Sequence, residues 1–230
     1  MNNEEKKDVK SKVLVKKGDF IELKFTGYSN GQIFDSNIPS DLKEIAPKAE
    51  PQEMIVAIGE GMVVKGLDEA LEGKKIGERY EIDVPSREAF GPRRRDLVRI
   101  ISLKNFTDQE INPQPGMVLA LDNHLVKILT VSGARITVDF NNPLAGRDLE
   151  YRFEIVKIVT DDEKKAKALF EILFKFVPEF EVKDKIIVKG PKILEKVVET
   201  YSEKFKKLIG KGIGFELKEE KAEEKSKTEN

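Results

Sequence analysis

In the stretch NGQIFDSN, Phe34 and Asp35 stand side by side just past an Asn30-Gly31 turn signal, so a large apolar ring adjoins a carboxylate. Neighbouring strand residues face opposite sides, and Asp35 should therefore meet solvent if Phe34 meets the core. That carboxylate is either a surface or turn-capping group, or the polar edge of a site whose other members are apolar. Other reactive residues are scarce. His124 is the only histidine and falls in an expected turn, which removes a Ser-His-Asp constellation and a histidine metal site. Cysteine is absent, and with it disulfides, thiolate ligands and a cysteine nucleophile. GEGMVV, residues 59–64, begins like a dinucleotide-binding glycine motif but lacks the third glycine, and KGPK at 189–192 is no phosphate loop. Arg93-Arg94-Arg95 lies beside Asp96 with no row of aromatic residues, so a solvated hinge explains it better than a nucleic-acid contact. No two carboxylates stand at a spacing suited to paired acid and base work.

The elements that must position Phe34 and Asp35 are legible from periodicity. Ile21, Leu23 and Phe25 alternate with Glu22, Lys24 and Thr26, the pattern of a half-buried strand running into the Asn30-Gly31 turn with Phe25 facing inward. Residues 37–52 contain three prolines and read as a long loop with a short helical turn at 40–45. EMIVAIG is a strand. Val64, Leu67, Ala70 and Leu71 then fall on one face of a short helix ending at Gly73, and GERYEIDVP is the next strand. One short helix among antiparallel strands implies an α+β half-barrel wrapped around it.

After Phe90-Gly91, the segment PGMVLALDNHLVKILTVSGARITVDF gives three strands parted by Asp122-Asn123 and Ser132-Gly133, a β-meander expected to form a small domain inserted between two strands of the first. The chain returns through NPLAG to a last strand, EYRFEIVKIV. From Thr160 a capped amphipathic helix, a strand (EVKDKIIVKG), a second amphipathic helix and a strand (IGFEL) make an α-β-α-β unit. The expected boundaries are a disordered N-terminus at 1–10, a discontinuous domain at 11–91 and 140–159, the insert at 92–139, the C-terminal domain at 160–217 and a charged disordered tail at 218–230. Two amphipathic helices on so small a unit leave apolar surface to cover, so a homodimer through this region is expected.

The 230-residue chain balances 41 Lys and Arg against 42 Asp and Glu, and no global field points to nucleic acid or an anionic membrane. No apolar run approaches the ~18 residues of a membrane span, so a cytoplasmic setting is expected. Charged residues at 36%, with no Cys and no Trp, resemble a heat-adapted composition.

Phe25, Phe34, Met54, Val63, Val64, Leu67, Phe90 and Tyr151 are spread over several elements, and as residue types they suit a core. The order of FTG, NGQIFDS, GMVVKGLDEALEGKKIGERYEIDVP and AFG, however, closely resembles the FKBP-type peptidyl-prolyl isomerases over about residues 12–91 and 141–158. The insert after Phe90-Gly91 and the return through NPLAG resemble the SlyD-like branch, whose insert-in-flap domain binds unfolded chains; the C-terminal segment resembles that of the long archaeal members. The resemblance implies a pocket with Phe34, Asp35, Val63, Val64, Leu67, Phe90 and Tyr151 as catalytic residues and Phe25 and Met54 as further lining. Leu67 would be the floor, the Val64 N–H would bond a substrate carbonyl, and Asp35 would sit at the edge near the carbonyl preceding proline. Partners would be X-Pro peptides and unfolded or partly folded proteins, with no cofactor and, lacking a His- and Cys-rich tail, no metal.

The chain departs from the best-known members in ways that bear on activity. Phe25 stands for a tyrosine whose hydroxyl bonds the aspartate, Leu67 for a tryptophan, Met54 for a phenylalanine and Phe90 for a tyrosine. Two functions follow as expectations: an isomerase that accelerates proline-limited folding with help from the insert, or a holdase chaperone or peptide-binding adaptor whose pocket is vestigial.

Overall fold

The computed structural model describes residues 13–121 and 124–218. The expected disordered N-terminus, nearly all of the charged tail and the Asp122-Asn123 turn lie outside those residues. The chain order begins with β1 (Phe20–Ser29), β2 (Gln32–Ser36), α1 (Pro39–Ile45), β3 (Met54–Ala57), α2 (Lys65–Leu71) and β4 (Arg79–Val84). β9 (Leu149–Ile158) completes an antiparallel sheet of order β2-β1-β9-β4, with β3 paired to the first half of β1. Ile21, Leu23 and Phe25 are all buried on one face of β1, as the alternation requires. Asn30 and Gly31 both take positive φ, 52° and 74°, which the primed hairpin turn between β1 and β2 demands. The sheet curls around α2, whose Leu67 and Leu71 fill its concave side with Val56, Val84, Phe153 and Ile155.

The insert builds its own sheet. β5 (Val98–Ser102), the short α3 (Lys104–Thr107), β6 (Val118–Leu121), β7 (His124–Ser132) and β8 (Arg135–Asp139) form a sheet of order β5-β8-β7-β6 over Phe106, Val126, Ile128, Ile136 and Val138. β5 is a fourth strand beyond the expected meander: VRIIS pairs with β8 from Val98↔Asp139 to Ser102↔Arg135. His124 begins β7 instead of lying in a turn, because Leu121↔His124 is a ladder pair. The arginine run is engaged with acidic and amide partners at the junction with the insert, and Arg94 pairs with Asp96. Arg93 pairs with Asp139, and the Asn141 side chain accepts the Arg94 N–H at 2.8 Å while donating to the Arg94 carbonyl at 2.9 Å. These bonds tie the outgoing and returning chain segments together.

The C-terminal region holds α4 (Asp162–Leu173), β10 (Glu179–Val182), β11 (Ile186–Gly190), α5 (Ile193–Ile209) and β12 (Ile213–Leu217). Asp161 caps α4 by accepting the N–H groups of Glu163 and Lys164. EVKDKIIVKG, expected as one strand, is split by a turn at residues 183–185 into two antiparallel strands, so the sheet is mixed, with β11 parallel to β12 across α5. Phe170 is its hub, with ring centroids 4.9 Å from Phe205 and 5.0 Å from Phe174 and Phe180. Phe20 and Ala57 of the first sheet and Val159 just past β9 share this core, so the two regions are packed together. Among the described residues no helix is long and apolar enough to cross a membrane, and no group of acidic or histidine side chains could hold a metal ion.

Candidate functional site

Strand register answers the question that Phe34 and Asp35 pose. Gly27 pairs with Asp35, but Tyr28 pairs with Ile33, so Phe34 is the extra residue of a β-bulge. A bulge sets two consecutive residues against one and re-aims them together. Simple alternation therefore fails at this point, and Phe34 and Asp35 both lie against Gly27. The other side of Gly27 pairs with Tyr151 of β9. Residues directly opposite across a ladder share a face, so the ring, the carboxylate and the phenol converge over a glycine that leaves them room. The approach is close: a Cβ on Gly27 would lie 2.6 Å from the Phe34 ring and 3.1 Å from that of Tyr151. Tyr151 packs edge-on to Phe34 at 5.9 Å and tilted to Phe25 at 6.2 Å.

Beneath these rings Leu67 is 2% exposed, and Met54, Val63 and Val64 pack against the same cluster. Seven of the nine expected residues are thus part of one packed cluster, and Asp35 is set beside it by the bulge. Phe90 is apart: it is 37% exposed in the turn leading to the insert and stands outside the packed cluster. The Gly91 carbonyl accepts the Gly146 N–H at 2.8 Å, which sets Phe90 beside the junction with the insert. The Val64 N–H makes no hydrogen bond among the described residues.

Electrostatics mark the same corner. Desolvation by the surrounding atoms raises the Asp35 pKa above the usual carboxylate value, with the Ser36 backbone N–H opposing it, although the residue as a whole is exposed. Burial first, and then the Asp35 charge, push the Tyr151 phenol up to about 12. Position 25 is Phe and offers Asp35 no hydroxyl, while the charge of Asp35 reaches the Tyr151 phenol.

Two supporting residues escaped the sequence reading. Asp68, 6% exposed on α2, accepts the Gly59 N–H at 2.8 Å and the Gly61 N–H at 2.9 Å, fixing the loop that delivers Val63 and Val64. The glycines of GEGMVV therefore serve positive-φ turns held by a carboxylate. Asn37 fills the gap that β2 and β3 leave on the edge of β1. Its side chain accepts the Phe25 N–H at 2.9 Å and donates to the Leu23 carbonyl at 2.8 Å, as a strand backbone would. Asp68 had a signal, a carboxylate in the first turn of a helix preceded by glycines; Asn37, in a loop-like stretch, had none.

Comparison with known proteins places this geometry. Residues 11–110 match the FKBP-type peptidyl-prolyl cis-trans isomerase family, and residues 99–144 match the family described as FKBP26, IF domain. A short-type peptidyl-prolyl cis-trans isomerase of Methanocaldococcus jannaschii is 29% identical over 145 residues, 62% of this chain and 92% of that protein. An FKBP-type 16 kDa peptidyl-prolyl cis-trans isomerase of Escherichia coli strain K12 is 31% identical over 106 residues, 44% of this chain and 70% of that protein. The chain belongs to the FKBP-type peptidyl-prolyl cis-trans isomerases. Within that family it carries an inserted IF domain and is related to SlyD-like members, among them the SlyD of Helicobacter pylori strain J99, 29% identical over 147 residues, 62% of this chain and 72% of that protein. The FKBP-type half-barrel is the β2-β1-β9-β4 sheet with α2, and the matched IF segment covers most of the β5–β8 sheet.

Proposed function

We propose that the protein catalyses cis-trans isomerisation of X-Pro bonds in folding chains, with the half-barrel (11–91 and 140–159) as the catalytic part and the insert (92–139) as the part that captures unfolded client. The observation that carries this reading is the bulge at Phe34-Asp35, which gathers ring, carboxylate and phenol over Leu67. Twisting a prolyl amide meets a barrier of roughly 18–20 kcal/mol because resonance is lost in the twisted state. No bond is broken. An apolar cup that receives the proline ring and withdraws water from the amide favours the twisted, less polar form by differential binding.

Phe34, Tyr151 and Leu67 form the cup, with Phe25, Met54 and Val63 behind them, and the unpaired Val64 N–H is available to a substrate carbonyl. Asp35 and the Tyr151 hydroxyl flank the position of the carbonyl preceding proline. Phe90, exposed in the turn leading to the insert, is a further substrate contact on this reading. A cis-trans assay on a short X-Pro peptide tests this. The rate should exceed background and fall at least several-fold in Phe90→Ala and in Asp35→Ala. Background rates in the wild type, with aggregation of an unfolded client still suppressed, would leave the holdase reading.

The insert fits client capture because Ile100 is 67% exposed, and Val118 and Leu125 are also exposed, on a sheet tethered beside the cup. On the C-terminal region Ile193 is 78% exposed and Phe176 and Leu217 are also open, which supports self-association through residues 160–217 in a cytoplasmic protein. Light scattering checks this: the full chain should be a dimer and a chain ending at residue 159 a monomer, and equal subunit numbers would refute it.

A further inference from the structure

A cavity of about 380 Å³ opens beside the isomerase cup, and its walls come from two regions of the chain. Phe25, Asp35 and Met54 bound it on the half-barrel side; Ala168, Glu171 and Ile172 of α4 bound it on the other. The helix is fixed there. Lys164 pairs with Glu53 at 2.6 Å, Lys204 of α5 pairs with Glu60 at 3.1 Å, and Phe20 and Ala57 are buried against Leu169 and Phe170. We infer that α4 is the second wall of the substrate cleft, and that this cleft seats a lysine or arginine side chain flanking the prolyl bond of the client.

Two features of the lining select that chemistry. Leu42, Met54, Met62 and Ile172 provide an apolar surface for a long aliphatic stem. Four carboxylates, those of Asp35, Glu50, Glu53 and Glu171, line the cavity, and no lysine or arginine does. Only Glu53 is matched within the protein; Asp35, Glu50 and Glu171 make no ion pair among the described residues. A side chain with an apolar stem and a cationic head satisfies both features, whereas a short apolar residue leaves the carboxylates unmatched and an acidic one is repelled. The continuity of the cavity with Asp35 sets the position of this residue next to the proline. This inference rests on the isomerase reading of the adjoining cup.

The test uses the full chain and matched short peptides with Lys, Leu or Glu at the positions flanking proline. Isomerisation is followed by exchange NMR and binding by fluorescence anisotropy of labelled copies. At low salt, Lys peptides should be preferred over Glu peptides about tenfold in both readouts, and the preference should shrink at ~0.5 M salt. Glu171→Gln should cut the preference about threefold, Glu50→Gln with Glu171→Gln should remove most of it, and Glu203→Gln on the exposed side of α5 should leave it intact. Isomerisation of all three peptides without charge preference, or a preference that survives the double substitution, would overturn the inference while leaving the isomerase standing. A Glu171-dependent binding preference without isomerisation would uphold the cleft and sink the isomerase reading. Neither binding nor turnover would refute both.

Discussion

The half-barrel and the insert are both small antiparallel sheets, yet they use their apolar residues in opposite ways. On the half-barrel the Phe34 ring packs edge-on to Tyr151 and Phe25 packs tilted against it, in one cluster with the buried Leu67, and a glycine and a bulge fix their spacing. On the insert the core is limited to residues such as Phe106, Ile128 and Ile136, while Ile100, Val118 and Leu125 are largely exposed. A rigid cup discriminates by shape and can favour one geometry of one bond. An open apolar strand face accepts any exposed apolar segment and discriminates little. On the proposed reading chemistry belongs to the first arrangement and client retention to the second, and the Arg93–Asp139 and Asn141 bonds tie together the chain segments that join them.

Removing the insert is the strongest way to break this pairing. Its ends lie side by side, since Val98 is the ladder partner of Asp139, so a short linker can replace residues 92–139. Catalysis of proline-limited refolding should fall by about a hundredfold, because tethering raises the local client concentration by factors of that order. The rate on a tetrapeptide should stay within about threefold of the intact protein, since the cup keeps its own core. A parallel fall on both substrates would mean that the insert shapes the cup itself.

Gly27→Ala attacks the other member of the comparison. The new methyl must push against Phe34 and Tyr151, and overpacking of this kind costs about 1–3 kcal/mol. We expect a lower melting temperature and a tetrapeptide rate reduced about tenfold, with suppression of client aggregation unchanged. An unchanged tetrapeptide rate would show that ring spacing does not govern the reaction.

What could be read from the sequence was local. The alternation of Ile21, Leu23 and Phe25, the Asn30-Gly31 turn and the Asp161 cap each depend on near neighbours, and each appears where its pattern indicates. The bulge at Phe34 does not, because it exists only in the register between β1 and β2. For the same reason the closeness of Asp35 to the ring beside it and to Tyr151 across β1 follows from strand pairing and not from the local pattern. β5 was missed because its partner, β8, lies more than thirty residues further along the chain, and the split of β10 from β11 because Lys183 to Lys185 carry no glycine or proline. The nine pocket residues were named from family resemblance, not from periodicity, since a cup made for an apolar ring has the composition of a core.

The smallest expected effect concerns the charge on that cup. Burial raises the folded-state pKa of Asp35 above its unfolded value, so folding binds a proton more readily than unfolding does over that window. The group's penalty is therefore absent below the unfolded carboxylate pKa, appears as pH rises through the folded one, and is fully present at neutral pH. Asp35→Asn keeps the shape and removes the charge, so it should raise the melting temperature by a degree or two at pH 7, a gain that fades as pH falls into the carboxylate range. Scanning calorimetry of both proteins between about pH 3 and pH 7 measures it. A gain that holds at low pH would mean that the amide packs better, and that the carboxylate is not held at a cost to stability.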